Sequence, residues 1–156
     1  MFSKACEYAL RAVLYISIRS INGSRLSIGE IAREIDAPVA FTAKILQTLA
    51  RNKLISSVKG PNGGFFVNPK SRPVTLNAVV NVIDGVDVLH DCALGLRECS
   101  DRFPCPIHHE IKQYKERLRK VLKGTTVQDL AAELMVGNTH LRSSSGRRTS
   151  TKRIAD

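Results

Sequence analysis

Cys92, Cys99 and Cys105 lie within one stretch of fourteen residues, and His108 follows three positions after the last of them. Three reduced thiols so close together are more readily ligands of a metal centre than a chance grouping of spare cysteines. Zinc knuckles usually place about two to four residues between their cysteines. Here the gaps are six and five, which suits a group whose metal atoms lie further apart than the bonds around one ion. Iron–sulfur clusters are held by thiolates, and histidine can replace a cysteine. With only three local thiols, a fourth ligand must come from elsewhere. His108, one helical turn beyond Cys105, is the nearest candidate, while His109 reads as a solvent-facing neighbour. Both [2Fe–2S] and [4Fe–4S] remain open, and a zinc-binding or metal-free chain is the alternative. Cys6 stands apart and reads as a small buried hydrophobe outside the site.

The redox argument requires an unexported chain. No stretch reaches the roughly 18 apolar residues of a membrane span. The apolar N-terminus, Phe2 to Ile18, is interrupted by Glu7 and Arg11 and recurs with helical period, so it reads as a core helix and not a signal peptide. A cytoplasmic location without membrane partners is expected. The hydrophobic fraction of 43% is that of a folded protein. The net charge of +10 calls for a polyanionic partner, nucleic acid before others. Five cations and one acid from Gly137 to Asp156 account for +4 of it, so the body remains basic at +6. There is no phosphate-binding glycine loop joined to a strand–helix unit, no Ser/His/Asp set and no second cysteine cluster. An enzyme with a small-molecule substrate is therefore not expected, and an electron-transfer iron–sulfur protein is the less favoured rival.

The elements that would position these groups are mainly α, with a small β-hairpin. Helix one runs from about Ser3 to Arg19, with Ala9, Ala12, Val13 and Ile16 on one stripe. Ser27 and Glu30 match a capping box that opens a short helix to Ile35. After Asp36-Ala37-Pro38, a third helix runs from about Val39 to Asn52, with Phe41, Ile45, Leu46 and Leu49 inward. Its outer face carries Ala40, Ala43, Lys44, Gln47 and Arg51 and no acid. Two helices joined by a tight turn, the second basic outside, form a helix-turn-helix. Thr42, Lys44, Gln47 and Arg51 are its candidate DNA contacts. Strands Leu54–Val58 and Phe65–Val67 flank a glycine-rich tip, a hairpin that reads as a wing with Lys59, Asn62 and Gly63 near DNA. A helix from Thr75 to Asp84 follows, then the cysteine loop, with Cys105 at the N-cap of a long helix from Pro106 to about Lys123. Its apolar residues Ile107, Ile111, Tyr114, Leu118 and Val121 are spaced four, three, four, three, as in a coiled-coil seam, so a homodimer is expected. Thr125 to Gln128 caps a last helix to Met135.

The organisation expected is a winged helix-turn-helix domain over 1–85, a cluster-binding loop over 86–105, a long dimerisation helix with a terminal helix over 106–136, and a disordered basic tail over 137–156. To about Met135 the chain resembles the IscR/NsrR-like family of winged-helix iron–sulfur regulators. The resemblance rests on Glu7-Tyr8-Ala9-Leu10-Arg11, on the wing string from Leu54 to Phe65, and on the three cysteines followed by His108. It implies a transcriptional regulator, expected to be a repressor, that binds a palindromic double-stranded operator as a dimer with cluster state tuning affinity. By position, Cys92, Cys99 and Cys105 match the three thiolate ligands, and His108 matches the IscR-type fourth ligand. Glu7 falls where NsrR-type members use a carboxylate from the partner subunit. The first cysteine gap is one residue longer than in the best-known members, which leaves cluster type open.

Overall fold

A computed structural model describes residues 2–137 and residue 141; the rest of the basic tail lies outside the described residues. The order is α1 (Lys4–Arg19), a 3-10 turn (Ser20–Asn22), α2 (Ile28–Glu34), α3 (Val39–Arg51), β1 (Ser56–Val58), β2 (Gly64–Phe66), α4 (Leu76–Ile83), a second 3-10 turn (Val86–Leu89), α5 (His108–Gly124) and α6 (Val127–Val136). Among the described residues no helix is long and apolar enough to cross a membrane.

Ser3 caps α1 by accepting from the Cys6 N–H at 3.0 Å, and its own N–H donates to Asp84 at 2.9 Å, which ties the start of α1 to the end of α4. The expected stripe Ala9, Ala12, Val13 and Ile16 is fully buried. Ser27 caps α2 by accepting from the Glu30 N–H at 3.2 Å. The expected capping box is only half built, because the Glu30 carboxylate accepts instead from the Tyr15 hydroxyl of α1 at 3.2 Å. Pro38 precedes α3, whose Ile45, Leu46 and Leu49 enter the common core. Phe41, expected with them, lies at the core's edge and meets the Tyr8 ring edge-on at 5.8 Å.

The wing is an antiparallel pair with Ser56 opposite Phe66, Ser57 opposite Phe65 and Val58 opposite Gly64. Leu26 adds a third edge by exchanging two 2.9 Å backbone hydrogen bonds with Phe65. That approach dictates Gly64: at its φ of 149° a Cβ would lie 2.7 Å from the Leu26 carbonyl oxygen. At the tip, a Cβ on Gly63 would lie 2.2 Å from the Val58 carbonyl oxygen, so a side chain there would displace the turn.

α5 starts at His108, two residues later than expected, with Ile107 and not Cys105 at its N-cap. The Cys105 carbonyl accepts from the His108 N–H at 3.0 Å and so leads into the helix. Thr126 and Asp129 form the full capping box of α6. The segment 106–136, read from sequence as one unit, divides in space. Residues Val74 and Leu76 exchange backbone hydrogen bonds with Val127 and Thr125, and Val127 joins the core beside Ala9 and Val13 of α1. α5 packs through Leu122 and Leu118 onto a smaller cluster of Cys6, Val80 and Leu89. Cys6 is fully buried there, and desolvation, with Asp84 nearby, pushes its thiol up to about 12. Its packing is that of the inert hydrophobe expected.

Ile16 lies at the centre of the larger core with no exposed surface. Ile16→Ala should cost about 2–5 kcal/mol of unfolding free energy in urea titrations. A loss below about 1 kcal/mol would mean that the site collapses around the deletion and that α1 is not its central element.

Candidate metal centre and nucleic-acid interface

The cysteine loop contributes little to either core; from Val86 to Ile107 only Leu89 and Cys105 are buried among the described side chains. Local turns shape it. The Gly95 N–H donates to the Cys92 carbonyl at 2.9 Å, and Ser100 and Phe103 exchange backbone bonds at 3.2 and 3.1 Å. These turns bring Cys92, Cys99 and Cys105 into one group, with all three sulfurs within 4.8 Å of one another and Cys92 Sγ 3.9 Å from Cys105 Sγ. His108, in the first turn of α5, places Nδ1 3.1 Å from Cys99 Sγ. The four side chains line a cavity of about 310 Å³.

A row of cations on α5 fastens the loop to the helix. Lys112 pairs with Asp101 at 2.6 Å, Lys115 donates to the Asp91 carbonyl, and Arg119 donates to the Leu89 carbonyl at 3.2 Å. Asp101 also meets His108 Nε2 at 2.9 Å, and Lys112 and then His108 hold its carboxyl down to about 2. The thiols differ in environment. Backbone N–H groups of Leu96 and Leu94 lower Cys92 to about 7. At Cys99 a backbone hydrogen bond from Cys105 acts downward, but desolvation and the two neighbouring thiols outweigh it and leave the group raised. Thiolates this close repel one another, and a bound cationic centre relieves that repulsion.

Four of the expected ligand candidates, Cys92, Cys99, Cys105 and His108, therefore converge. Glu7 pairs with Lys4 at 2.6 Å in α1 and does not line the cavity of its own chain. His109 is exposed, with its ring edge-on to His108 at 5.3 Å. Asp101, Lys112, Lys115 and Arg119 went unnoticed in the sequence. Of these, Lys112, Lys115 and Arg119 carried a signal, following His108 at spacings of four, three and four and hence on the same helix face.

Lys44, Gln47 and Arg51 are exposed along the acid-free face of α3, and Lys59 and Asn62 are exposed at the wing, beside the half-buried Gly63. Thr42 must be withdrawn from this set. It is fully buried and its hydroxyl donates to the Pro38 carbonyl at 3.0 Å, because it falls in the middle of the helix's apolar sector. Sequence reading also missed Arg25. Its guanidinium donates to the Asn62 carbonyl at 3.1 Å and lies over the Phe66 ring at 5.9 Å, bracing the wing tip.

Comparison with known proteins places this arrangement. The family model Rrf2, described as an iron-dependent transcriptional regulator, matches residues 2–133. A protein of Aquifex aeolicus (strain VF5) described as an HTH-type transcriptional regulator is 32% identical over 133 residues, covering 83% of this chain and 90% of its own. The HTH-type transcriptional regulator IscR of Yersinia pestis is 24% identical over 125 residues, covering 80% of this chain and 74% of its own. Among solved structures, the CymR global cysteine regulator of B. subtilis superposes with a TM-score of 0.67 at 19% identity, covering 85% of this chain and 97% of that one. The IscR of T. potens superposes at 0.65 with 16% identity, covering 90% and 92%. With the family model spanning both helix-turn-helix and cysteine loop, the chain belongs to the Rrf2 family of transcriptional regulators.

Proposed function

We propose that this regulator is a cytoplasmic homodimer that represses transcription from a palindromic operator and senses redox, nitric oxide or iron–sulfur status through a bound iron–sulfur cluster. The observation that carries the sensing role is the convergence of three cysteine sulfurs within 4.8 Å, with an imidazole nitrogen 3.1 Å from one of them. Three soft thiolates and a histidine facing one cavity fit an iron–sulfur group, which Cys92, Cys99, Cys105 and His108 would hold. When bound, such a group supplies a centre whose charge and integrity respond to oxidants and to small reactive ligands.

The chain's own residues then carry the response. His108 opens α5, and Lys112, Lys115 and Arg119 pin the loop to the same helix. α5 in turn rests through Leu118 and Leu122 on the cluster containing Cys6 of α1 and Val80 of α4. A change in the loop is therefore delivered to the base of the helix-turn-helix. In a dimer it alters the spacing of two α3 helices that must meet half-sites about one DNA turn apart. Lys44, Gln47 and Arg51 face the major groove, while Lys59 and the Asn62–Gly63 tip follow the backbone.

We assign a narrower dimer seam than the heptad pattern implied. Leu118 turns inward, whereas Ile107, Tyr114 and Val121, seven residues apart, are 38%, 53% and 57% exposed. This row is the surface we assign to the partner's α5.

Replacing any one of Cys92, Cys99 or Cys105 with Ala should yield anaerobically purified protein almost free of iron and acid-labile sulfide, against a brown parent. A colourless parent loaded with zinc would overturn the cluster assignment. Arg51→Ala and Lys59→Ala should weaken operator binding broadly and lower the log–log salt slope by about 0.9 for each phosphate that is no longer neutralised. Gln47→Ala should shift preference among operator sequences, and unchanged affinity and slope in the Arg51/Lys59 pair would move the reading face elsewhere. Val121→Glu, which touches neither core, should give monomers by light scattering with unaltered helical content. Persistent dimers would displace the seam from this row.

A further inference from the structure

The two ring nitrogens of His108 have different partners: Nδ1 faces Cys99 Sγ at 3.1 Å and Nε2 faces Asp101 Oδ1 at 2.9 Å. A neutral imidazole carries one N–H, and an ionised carboxylate only accepts. In the neutral ring, the form that can ligate a metal, the hydrogen therefore belongs on Nε2, pointing to Asp101, and the Nδ1 lone pair faces the thiols. Lys112, one turn further along α5, holds the other Asp101 oxygen at 2.6 Å. The His108 side chain is only 14% exposed, and Asp101 closes its outer edge. Rotation of the ring would break the Asp101 bond.

We infer that Asp101, clamped by Lys112, is the positioning residue that sets the tautomer and ring orientation of His108 for metal ligation through Nδ1. This rests on the cluster reading above and extends it to a residue outside the ligand set. Histidine ligands commonly donate their second ring N–H to a carboxylate, which fixes the ring and raises the basicity of the ligating nitrogen. Asp101 lies in the loop and Lys112 on the helix, so the orientation of His108 depends on the loop being docked against α5. A loop merely pinned by an Asp–Lys pair would make a different prediction, and the two are separable by the choice of substitution. Asp101→Ala removes both the acceptor for Nε2–H and the ion pair. Asp101→Asn keeps a carbonyl acceptor for Nε2–H but turns the oxygen held by Lys112 into an amide NH2, so it removes the charge and the ion pair while leaving the acceptor.

The test uses the full-length protein reconstituted anaerobically with ferrous iron and sulfide, reduced with dithionite and read by pulsed EPR for strong histidine nitrogen coupling. His108→Ala serves as the blank. Asp101→Ala should retain iron and sulfide close to the parent's content, held by three thiolates, while losing at least half of the nitrogen coupling. Asp101→Asn should retain that coupling, and thermal melting of the metal-free variants should match the parent because Asp101 is exposed. Full coupling in Asp101→Ala, or Asp101→Asn behaving like Asp101→Ala, would overturn the positioning role while leaving the cluster reading intact. A parent that takes up no iron, or whose nitrogen coupling survives in His108→Ala, would overturn the ligand reading itself, and the role of Asp101 with it.

Discussion

A loop with two buried side chains among those described cannot hold three thiols in mutual contact through its own packing, since each ordered residue costs about 1–2 kcal/mol of backbone entropy. What holds it is α5. Lys112, Lys115 and Arg119 recur at intervals of three and four, project from one helix face, and meet a carboxylate and two carbonyls of the loop. Exposed ion pairs each contribute little. Their effect here lies in registering the loop along a rigid element, so that Cys99 Sγ comes within 3.1 Å of His108 Nδ1. Without α5, the residues that carry the chemistry would have the right types and no common place.

The same helix connects that chemistry to the rest of the molecule. Its C-terminal half buries Leu122 against Cys6, Val80 and Leu89, and these in turn lie under the caps that join α1 to α4. α1 and α4 are shared by both cores: Ala9, Ala12, Val13 and Ile16 of α1 and Val79 of α4 face the larger one, and Cys6 and Val80 the smaller. α6 closes over α1 from the far end of the chain. Interiors packed in this way shift as units and do not deform continuously. The loop is thus joined through packed elements to the helix-turn-helix, and the family model spans both.

The wing is built by close approach. Leu26 reaches over to pair with Phe65, which leaves no room for a Cβ at Gly64, and Arg25 next to it braces the tip through the Asn62 carbonyl. The glycine-rich tip thus has two origins, tight backbone packing beneath and an uncluttered surface outside.

The sequence by itself determined the helices, the hairpin and the cysteine–histidine grouping, because hydrophobic period, capping residues and turn glycines are local signals that need no knowledge of distant chain. It also marked Lys44, Gln47 and Arg51, since a helix face can be drawn from spacing alone. Thr42 shows the limit of that method. Its angle put it among the apolar residues, and only burial in the folded chain decided that its hydroxyl turns back to Pro38. The five-residue apolar stripe of α5 meets a similar limit. Period distinguishes apolar from polar, but two neighbours compete for one stripe, and the fold gave Leu118 to the core while leaving Tyr114 and Val121 outside. Asp101 was illegible for a more general reason. Its partners, His108 and Lys112, lie seven and eleven residues away across a turn. No periodicity links a loop carboxylate to a helix face until the loop has docked.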